Sequence, residues 1–133
     1  MLISSKLAYN KYPDMNDAYS LIGKLEKLLA DQAIKGTNPP MLHIRKIDSA
    51  MYETQVAIPI LQWPKTDANS QIKRMVLGNI LTTVVNGGPA SIKKAYQSMQ
   101  QYIYDHNMAQ PAIPYESLIT NRIQERDTSK WVT

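Results

Sequence analysis

The sequence predicts an α+β domain made of two strand-helix-strand-strand repeats, related by a pseudo-twofold axis and joined in an antiparallel sheet. At an offset of about 74 residues, two sets of apolar residues at helical spacing coincide. The first set is Ala18, Leu21, Ile22, Leu25, Leu28, Leu29 and Ile34, and the second is Ile92, Ala95, Tyr96, Met99, Tyr102, Ile103 and Met108. Because each repeat has one apolar face, the repeats should share a core, and a ligand cleft is expected at the seam between them.

The length and composition of the chain support a single domain. The 133 residues, of which 44% are hydrophobic, are enough for one ordinary core and too few for two independent ones. We therefore assign residues 1–133 to one domain. Repeat one covers about 6–60, a connector covers 61–73, and repeat two covers about 74–133.

The first repeat contains a strand, a helix and two further strands. Asp14 can accept hydrogen bonds from the exposed amides of the helix start, and Asp17 adds favourable charge there. Gly36 is the expected helix stop. The predicted elements are a strand over 6–12, a helix that ends at about Ala33, and strands over 41–47 and 51–60.

The second repeat follows the same order. Gly87-Gly88 breaks a β-branched segment, and Pro89 suits the first position of a helix because its missing amide costs nothing there. The predicted elements are a strand over 75–85, a helix over about 90–107, and a hairpin of 115–123 with 130–133. Repeat one continues through residues 55–60, which have no counterpart after Thr133, so we expect the last strand of repeat two to be truncated.

Composition excludes several classes of site. There is no cysteine, which removes thiolate nucleophiles, disulfides and cysteine zinc sites. His43 and His106 are isolated from each other and from ligand-spaced partners, so no metal is expected. No Gly-rich phosphate loop, serine elbow or carboxylate pair is present, and we expect no cofactor.

The net charge of +4 is spread along the chain, with an excess of two basic residues in each half, so nucleic-acid binding by this chain alone is not expected. No segment reaches the roughly 20 apolar residues of a membrane span. The first residues lack the layout of a signal peptide. We expect a cytoplasmic protein without a membrane partner.

Three segments together resemble the gyrase-inhibitor-like effector-binding domain, a small-molecule module that is also found in bacterial transcription activators, in its Bacteroidetes-type version. They are Gly87-Gly88-Pro89, residues 113–120 and residues 127–133. The resemblance covers nearly the whole chain and implies that the acid on the strand after the second helix, here Glu116, lies in a ligand cleft. Leu118 stands where many members have a tyrosine.

Alternation along a strand places Glu116 on one face with Leu118. A carboxylate in apolar company is costly unless a charged or hydrogen-bonding group meets it, which suits a cationic or amphipathic ligand. The repeat equates Glu116 with Leu42, so the site should contain one acid rather than two. The alternative is that Glu116 only pairs with a neighbouring lysine or arginine. The candidate ligand-binding residues are Glu116, Tyr9, Tyr52, Leu118, Trp131 and Leu42.

Tyr52 and Trp131 are equivalent in the repeat, so structural anchoring of the hairpins is as good an interpretation as ligand contact. The favoured function is capture of a small hydrophobic or cationic organic molecule, for sensing or sequestration. The alternatives are hydrolysis of a reactive molecule in the same cleft and masking of a macromolecule such as gyrase. A homodimer is among the expected assemblies, because an open sheet edge can pair with another chain.

Overall fold

The fold is α+β, as predicted, in a computed structural model that describes residues 1–75 and 78–133. The described residues form two α-helices and one five-stranded antiparallel sheet with the strand order β4-β1-β3-β2-β5. The elements are β1 (Leu2–Tyr9), α1 (Met15–Ala30), β2 (Met41–Lys46), β3 (Tyr52–Pro59), β4 (Gln71–Lys73), α2 (Pro89–Asp105), β5 (Glu116–Ser117) and a 3-10 turn (Thr128–Lys130). Neither helix is long and apolar enough to cross a membrane, within the described ranges.

The chain divides into two compact units. The first unit comprises Met1–Met75 together with Tyr115–Ser117, and so contains the whole sheet and α1. The second unit comprises the described residues of 76–114 together with 118–133, and contains α2 and the 3-10 turn.

The first unit has its core between α1 and one face of the sheet. In the antiparallel register, Ile3 pairs with Ile58 and Leu42 pairs with Val56, so these side chains share a face. All four are buried. The helix contributes a matching stripe at helical spacing, formed by Ala18, Leu21, Ile22, Leu25 and Leu29. Each fully buried aliphatic side chain of this size contributes about 1.5–3 kcal/mol, and the packing holds α1 on this face.

Helix α1 begins as predicted at Asp14. The carboxylate of Asp14 accepts from the Asp17 amide at 2.9 Å, and Asp17 accepts from the Asp14 amide at 3.0 Å, which is a reciprocal capping box. The end is different from the prediction. Regular helix stops at Ala30, and Ala33 adopts a left-handed backbone with φ 55° while the Ile34 amide donates to the Leu29 carbonyl at 2.9 Å. This is a Schellman ending, so Gly36 is not the stop.

Gly36 instead permits a close approach to the sheet. A Cβ built on it would lie 2.8 Å from Cγ2 of Ile58, a side chain in the buried core. The segment after α1 therefore lies directly against β3. The connector is fixed nearby, because the Gln32 side chain donates to the Lys65 carbonyl at 2.9 Å and accepts from the Lys65 amide at 2.7 Å.

The strands of the first repeat lie close to their predicted positions, with one shift. Strand β1 spans Leu2–Tyr9 rather than 6–12, because Ser4 and Ser5 are buried between neighbouring strands and extend the ladder towards the N-terminus. The predicted connector also contains β4, which pairs with β1 through the registers Leu2 with Lys73 and Ile3 with Ile72.

The strands of the second repeat are much shorter than predicted. Within the predicted strand over 75–85, Val76 and Leu77 lie outside the described residues, and the described remainder is not strand. Pairing is confined to its end, where Val85 and Thr133 exchange backbone hydrogen bonds at 2.9 and 3.0 Å. The predicted strand over 115–123 is reduced to Glu116–Ser117, because Asn121 accepts from the amides of Ile123 and Gln124 and starts a turn.

Helix α2 is found close to its predicted range, at Pro89–Asp105 rather than 90–107. Its N-cap is Gly88. After the helix, Asn107 is left-handed with φ 50°, and the Met108 amide donates to the Ile103 carbonyl at 3.0 Å. Both helices therefore end in the same Schellman geometry.

Two glycine substitutions should have opposite effects on stability. Gly36→Ala places a methyl group against buried Ile58 and should lower the free energy of unfolding by about 1–3 kcal/mol. Gly23→Ala, inside α1 with nothing within 4 Å of its Cβ, should raise it by about 0.5–1 kcal/mol. Urea denaturation of both variants measures the difference. Equal effects of the two substitutions on the free energy of unfolding would contradict the close packing of Gly36 against Ile58.

Candidate functional site

The predicted acidic anchor lies in the first unit, on the edge strand β5. Glu116 pairs directly with Leu42 of β2 in the antiparallel register, so the two side chains share a face of the sheet. Leu42 is 1% exposed and Glu116 is half-buried. The structure thus brings together the two residues that the repeat equates. It places the acid on the face that α1 covers.

The surroundings on that face are apolar. Leu42 continues the row to Val56, which is also fully buried. Charges held partly out of water next to such side chains are costly, and the cost falls when a group of opposite charge or a hydrogen-bond donor meets them. A carboxylate at this position is therefore suited to a cationic or hydrogen-bond-donating partner.

Tyr9 and Tyr52 form a separate group at the far end of the same ladder. They are direct partners in the β1–β3 register, and the ring of Tyr12 meets the ring of Tyr52 edge-on, with the centroids 5.4 Å apart. Tyr52 lies four residues along β3 from Val56, which corresponds to about 13 Å along the strand. The structure therefore does not bring these tyrosines to Glu116, and one small ligand would not contact both groups.

Two acidic residues, Asp14 and Asp17, lie near the tyrosine group. Burial first, and then the charges of Asp17 and Asp14, raise the pKa of Tyr9 above 10.0. Two carboxylates beside an aromatic group at the start of α1 form the capping box described above. Because both carboxylates cap α1, the structure of the helix start accounts for the two acids near the tyrosine group.

The opposite face of the sheet carries polar residues that the sequence analysis did not select. The ring of Tyr115 stands edge-on to the ring of His43, with centroids 6.2 Å apart. Burial raises the pKa of Tyr115, and the nearby Gln55 side chain partly opposes the rise, although their geometry falls short of a hydrogen bond. No sequence signal marks these contacts, because they join β2, β3 and the residue that precedes β5.

Among the described residues, two cavities of the first unit have linings that do not include Glu116. One, of about 230 Å³, is lined by Glu26, Leu29, Ile34, Gly36, Asn38, Pro40 and Ile58. The other, of about 190 Å³, is lined by Ser4, Ser5, Lys6, Gln55, Ala68, Asn69, Gln71 and Lys73. The first is bounded by the end of α1 and the segment after it. The second is distinctly polar.

In the second unit, Trp131 is an anchored side chain. It is 8% exposed, and its indole Nε1 donates to the carbonyl of Glu125 at 2.8 Å. The guanidinium of Arg122 lies 4.9 Å from the centre of the Trp131 ring and donates to Oγ1 of Thr133 at 2.9 Å. Arg122 is itself 7% exposed. These contacts favour the structural interpretation of Trp131 over ligand contact.

The other second-unit candidate, Leu118, is also buried, at 3% exposed. The Gly87-Gly88 segment is explained by packing. Gly87 has φ 128°, which other residues rarely adopt, and a Cβ on Gly88 would lie 2.9 Å from Thr128. Thr128 belongs to the 3-10 turn that Asp127 caps, so this part of the segment resembling the effector-binding domain has a structural role.

Comparison of the chain with protein families, with curated proteins and with solved structures finds no match. Two features of the sheet are candidates for function. One is a half-buried acid opposite a buried leucine on one sheet face, and the other is a polar cavity on strands of the same sheet.

The two tryptophans should report different environments. Trp63 is 63% exposed, whereas Trp131 is buried beneath Arg122. The Trp63→Phe variant should emit at shorter wavelength than the wild type and resist quenching by iodide. Trp131→Phe should show the reverse. Fluorescence spectroscopy of the two matched variants makes the comparison, and equal accessibility of both indoles would contradict the anchored position of Trp131.

Tyr115 should make stability depend on pH in the alkaline range. A tyrosine whose folded pKa is raised contributes stability that is fully present below the unfolded pKa of about 10 and is lost as pH rises through the folded pKa. Tyr115→Phe should therefore reduce the loss of stability above pH 10, as measured by urea unfolding at a series of pH values. Tyr104→Phe, at a position 79% exposed, is the control and should leave the profile unchanged.

Proposed function

We propose that this protein is a small-molecule-binding module of the gyrase-inhibitor-like effector-binding type, which holds a hydrophobic or cationic organic ligand against Glu116. The observation that carries the proposal is the direct pairing of Glu116 with buried Leu42 on the apolar face of the sheet. A ligand with a positive charge can approach the half-buried carboxylate of Glu116, while Leu42, at 1% exposed, gives the acid an apolar environment and no contact surface of its own.

The pseudo-twofold repeat belongs to the same proposal, and three pairs of positions support it. The helix N-caps are Asp14 and Gly88, and the left-handed residues after the helices are Ala33 and Asn107. Each pair is separated by 74 residues (88 − 14 and 107 − 33), as are Leu42 and Glu116 (116 − 42). Local backbone geometry therefore recurs at the spacing of the sequence repeat.

The register of β2 with β5 adds a further argument. When two equivalent strands pair antiparallel about a twofold axis, the residues on the axis face their own equivalents. Leu42 and Glu116 meet this condition, and Met41 pairs with Ser117, the equivalent of His43. We infer that the pseudo-axis passes between Leu42 and Glu116. The only difference at the axis is then an acid in place of a leucine.

This asymmetry favours a ligand with a single cationic centre. Two carboxylates at the axis would repel each other, and two leucines would offer no charge selection. One carboxylate beside one buried leucine gives this position a single charge, which favours a ligand whose cationic group lies at Glu116. The proposal concerns binding. It assigns Glu116 the role of an anchor and no role in bond making.

The anchor is tested by Glu116→Gln, which keeps the shape of the side chain and removes its charge. Tetraphenylphosphonium should bind the wild type, and its affinity should fall about tenfold in the variant, because the Coulomb attraction between the phosphonium and the Glu116 carboxylate is lost, which corresponds to about 1.4 kcal/mol. Neutral triphenylmethane, which neither donates nor accepts hydrogen bonds, should bind both proteins equally. Isothermal titration calorimetry measures the affinities.

Asp31→Asn is the matched control, since it removes the same charge from an exposed position at the end of α1. It should leave the affinity for tetraphenylphosphonium unchanged. An equal loss in both variants would show that only the overall charge of the protein matters. Unchanged affinity in Glu116→Gln would remove the anchor role.

A further inference from the structure

The polar cavity of the first unit lies on the opposite face of the sheet from Glu116. Lys6 pairs with Gln55 in the β1–β3 ladder, and Ser4 pairs with Gln71 in the β1–β4 ladder, so these four side chains share a face. Ile3, Leu42 and Glu116 belong to the other face. Residues 68–69 of the connector complete the wall. Three strands and a loop, distant in sequence, thus enclose about 190 Å³.

The charge at this cavity is positive. Its lining contains Lys6 and Lys73 and no acidic residue. Lys6 lies 3.7 Å from Glu53, but that carboxylate is closer to Arg45, at 3.1 Å, and so is shared between two cations. Among the described residues, no carboxylate lies within ion-pair distance of Lys73. The cavity therefore attracts anions.

The polar groups of the wall are held in place. Ser4 is 3% exposed and its hydroxyl donates to the Gln71 carbonyl at 3.3 Å, which ties β1 to β4. Gln55 is 4% exposed, although a buried amide side chain requires hydrogen-bond partners. Gln55 lines this cavity, and its side chain is a polar amide. The Ser4 proton is therefore already used within the sheet, and the groups that can donate to an acceptor-rich ligand with certainty are the ammonium groups of Lys6 and Lys73 above this fixed polar wall.

The loop that closes the cavity is also fixed. The Ser70 hydroxyl accepts from the Asp67 amide at 3.0 Å, and the Asn69 amide donates to the Asp67 carboxylate at 2.9 Å. Asp67 is the acid nearest in sequence to the cavity wall. Its hydrogen bonds with Ser70 and with the Asn69 amide lower the pKa of its carboxyl. The carboxylate is occupied by its own turn and does not line the cavity.

We propose that this cavity binds a small oxyanion, a phosphate or carboxylate group, between Lys6 and Lys73, with Gln55 and Ser4 forming its floor. The volume holds about six water molecules at roughly 30 Å³ each, which accommodates an anionic group and a short organic remainder. This site is additional to the one proposed for Glu116. It uses the other face of the sheet and the opposite charge.

The test uses the full chain and follows backbone amide shifts by NMR during titration with inorganic phosphate, at constant ionic strength maintained with chloride. Shifts should be concentrated at residues 4–6, 55 and 69–73. Lys73→Met should weaken phosphate binding about fivefold, since a partly exposed cation is lost. Lys24→Met, at an exposed position on α1, is the matched control and should leave the affinity unchanged.

A parallel titration with succinate distinguishes the two sources of an oxyanion. Binding of phosphate alone, of succinate alone or of both supports the site and identifies the anionic group that it prefers. Lys6→Met is a second variant in case Lys73→Met disturbs the edge strand, and it should also weaken binding. The proposal is overturned if neither anion shifts these amides, or if Lys24→Met weakens binding as much as the cavity variants do.

Discussion

The antiparallel register of β1 with β3 is the constraint on which both proposed sites depend. It pairs Ile3 with Ile58 and Lys6 with Gln55, and so assigns one row of side chains to α1 and the other to the polar face. A slip of one residue would move each row to the opposite face, placing Lys6 under the helix and Ile3 in the polar cavity. Burial of the apolar row against α1 therefore fixes the position of the polar row as well.

The first repeat could be predicted from the sequence because its signals are local. Asp14, Asp17 and five apolar residues at helical spacing specify α1 without reference to the rest of the chain. The end of the helix at Ala33 could not be read in this way, because alanine gives no sign of a left-handed backbone. In the second repeat, β-branched residues near 75–85 indicated a strand, but among the described residues of this segment pairing is found at 85–87, which bond with 131–133. Strand length depends on available partners, which propensity does not describe.

The same distinction separates the residues of the two sites. Glu116 and Leu42 could be selected because the repeat aligns them, and alignment needs only the order of residues. Ser4, Gln55 and Lys73 could not, because they meet only through ladders that join residues as far apart as 4 and 71. The contact of Arg122 with Trp131 was missed for a similar reason, since a turn at Asn121 was read as continuous strand. Ser4 and Ser5 were not predicted to lie in a strand, because serine is typical of turns. In the structure both are buried in β1 and form part of the wall of the polar cavity.

The strand order also determines how far the two sites influence each other. Strands β4 and β5 occupy opposite edges of the sheet, four strand spacings apart, or about 19 Å. Lys73 aligns through Leu2 with Pro59 and Glu116 aligns through Leu42 with Val56, so the two backbones are also offset by three residues along the strands. Their separation therefore exceeds about twice the Debye length at physiological salt, and direct attraction between the two charges is largely screened. The sites also lie on different faces, with the apolar row of Ile3, Val56 and Leu42 on one side only. The two proposed sites would therefore select a cation on one face and an anion on the other, with the free energies of the two binding events close to additive.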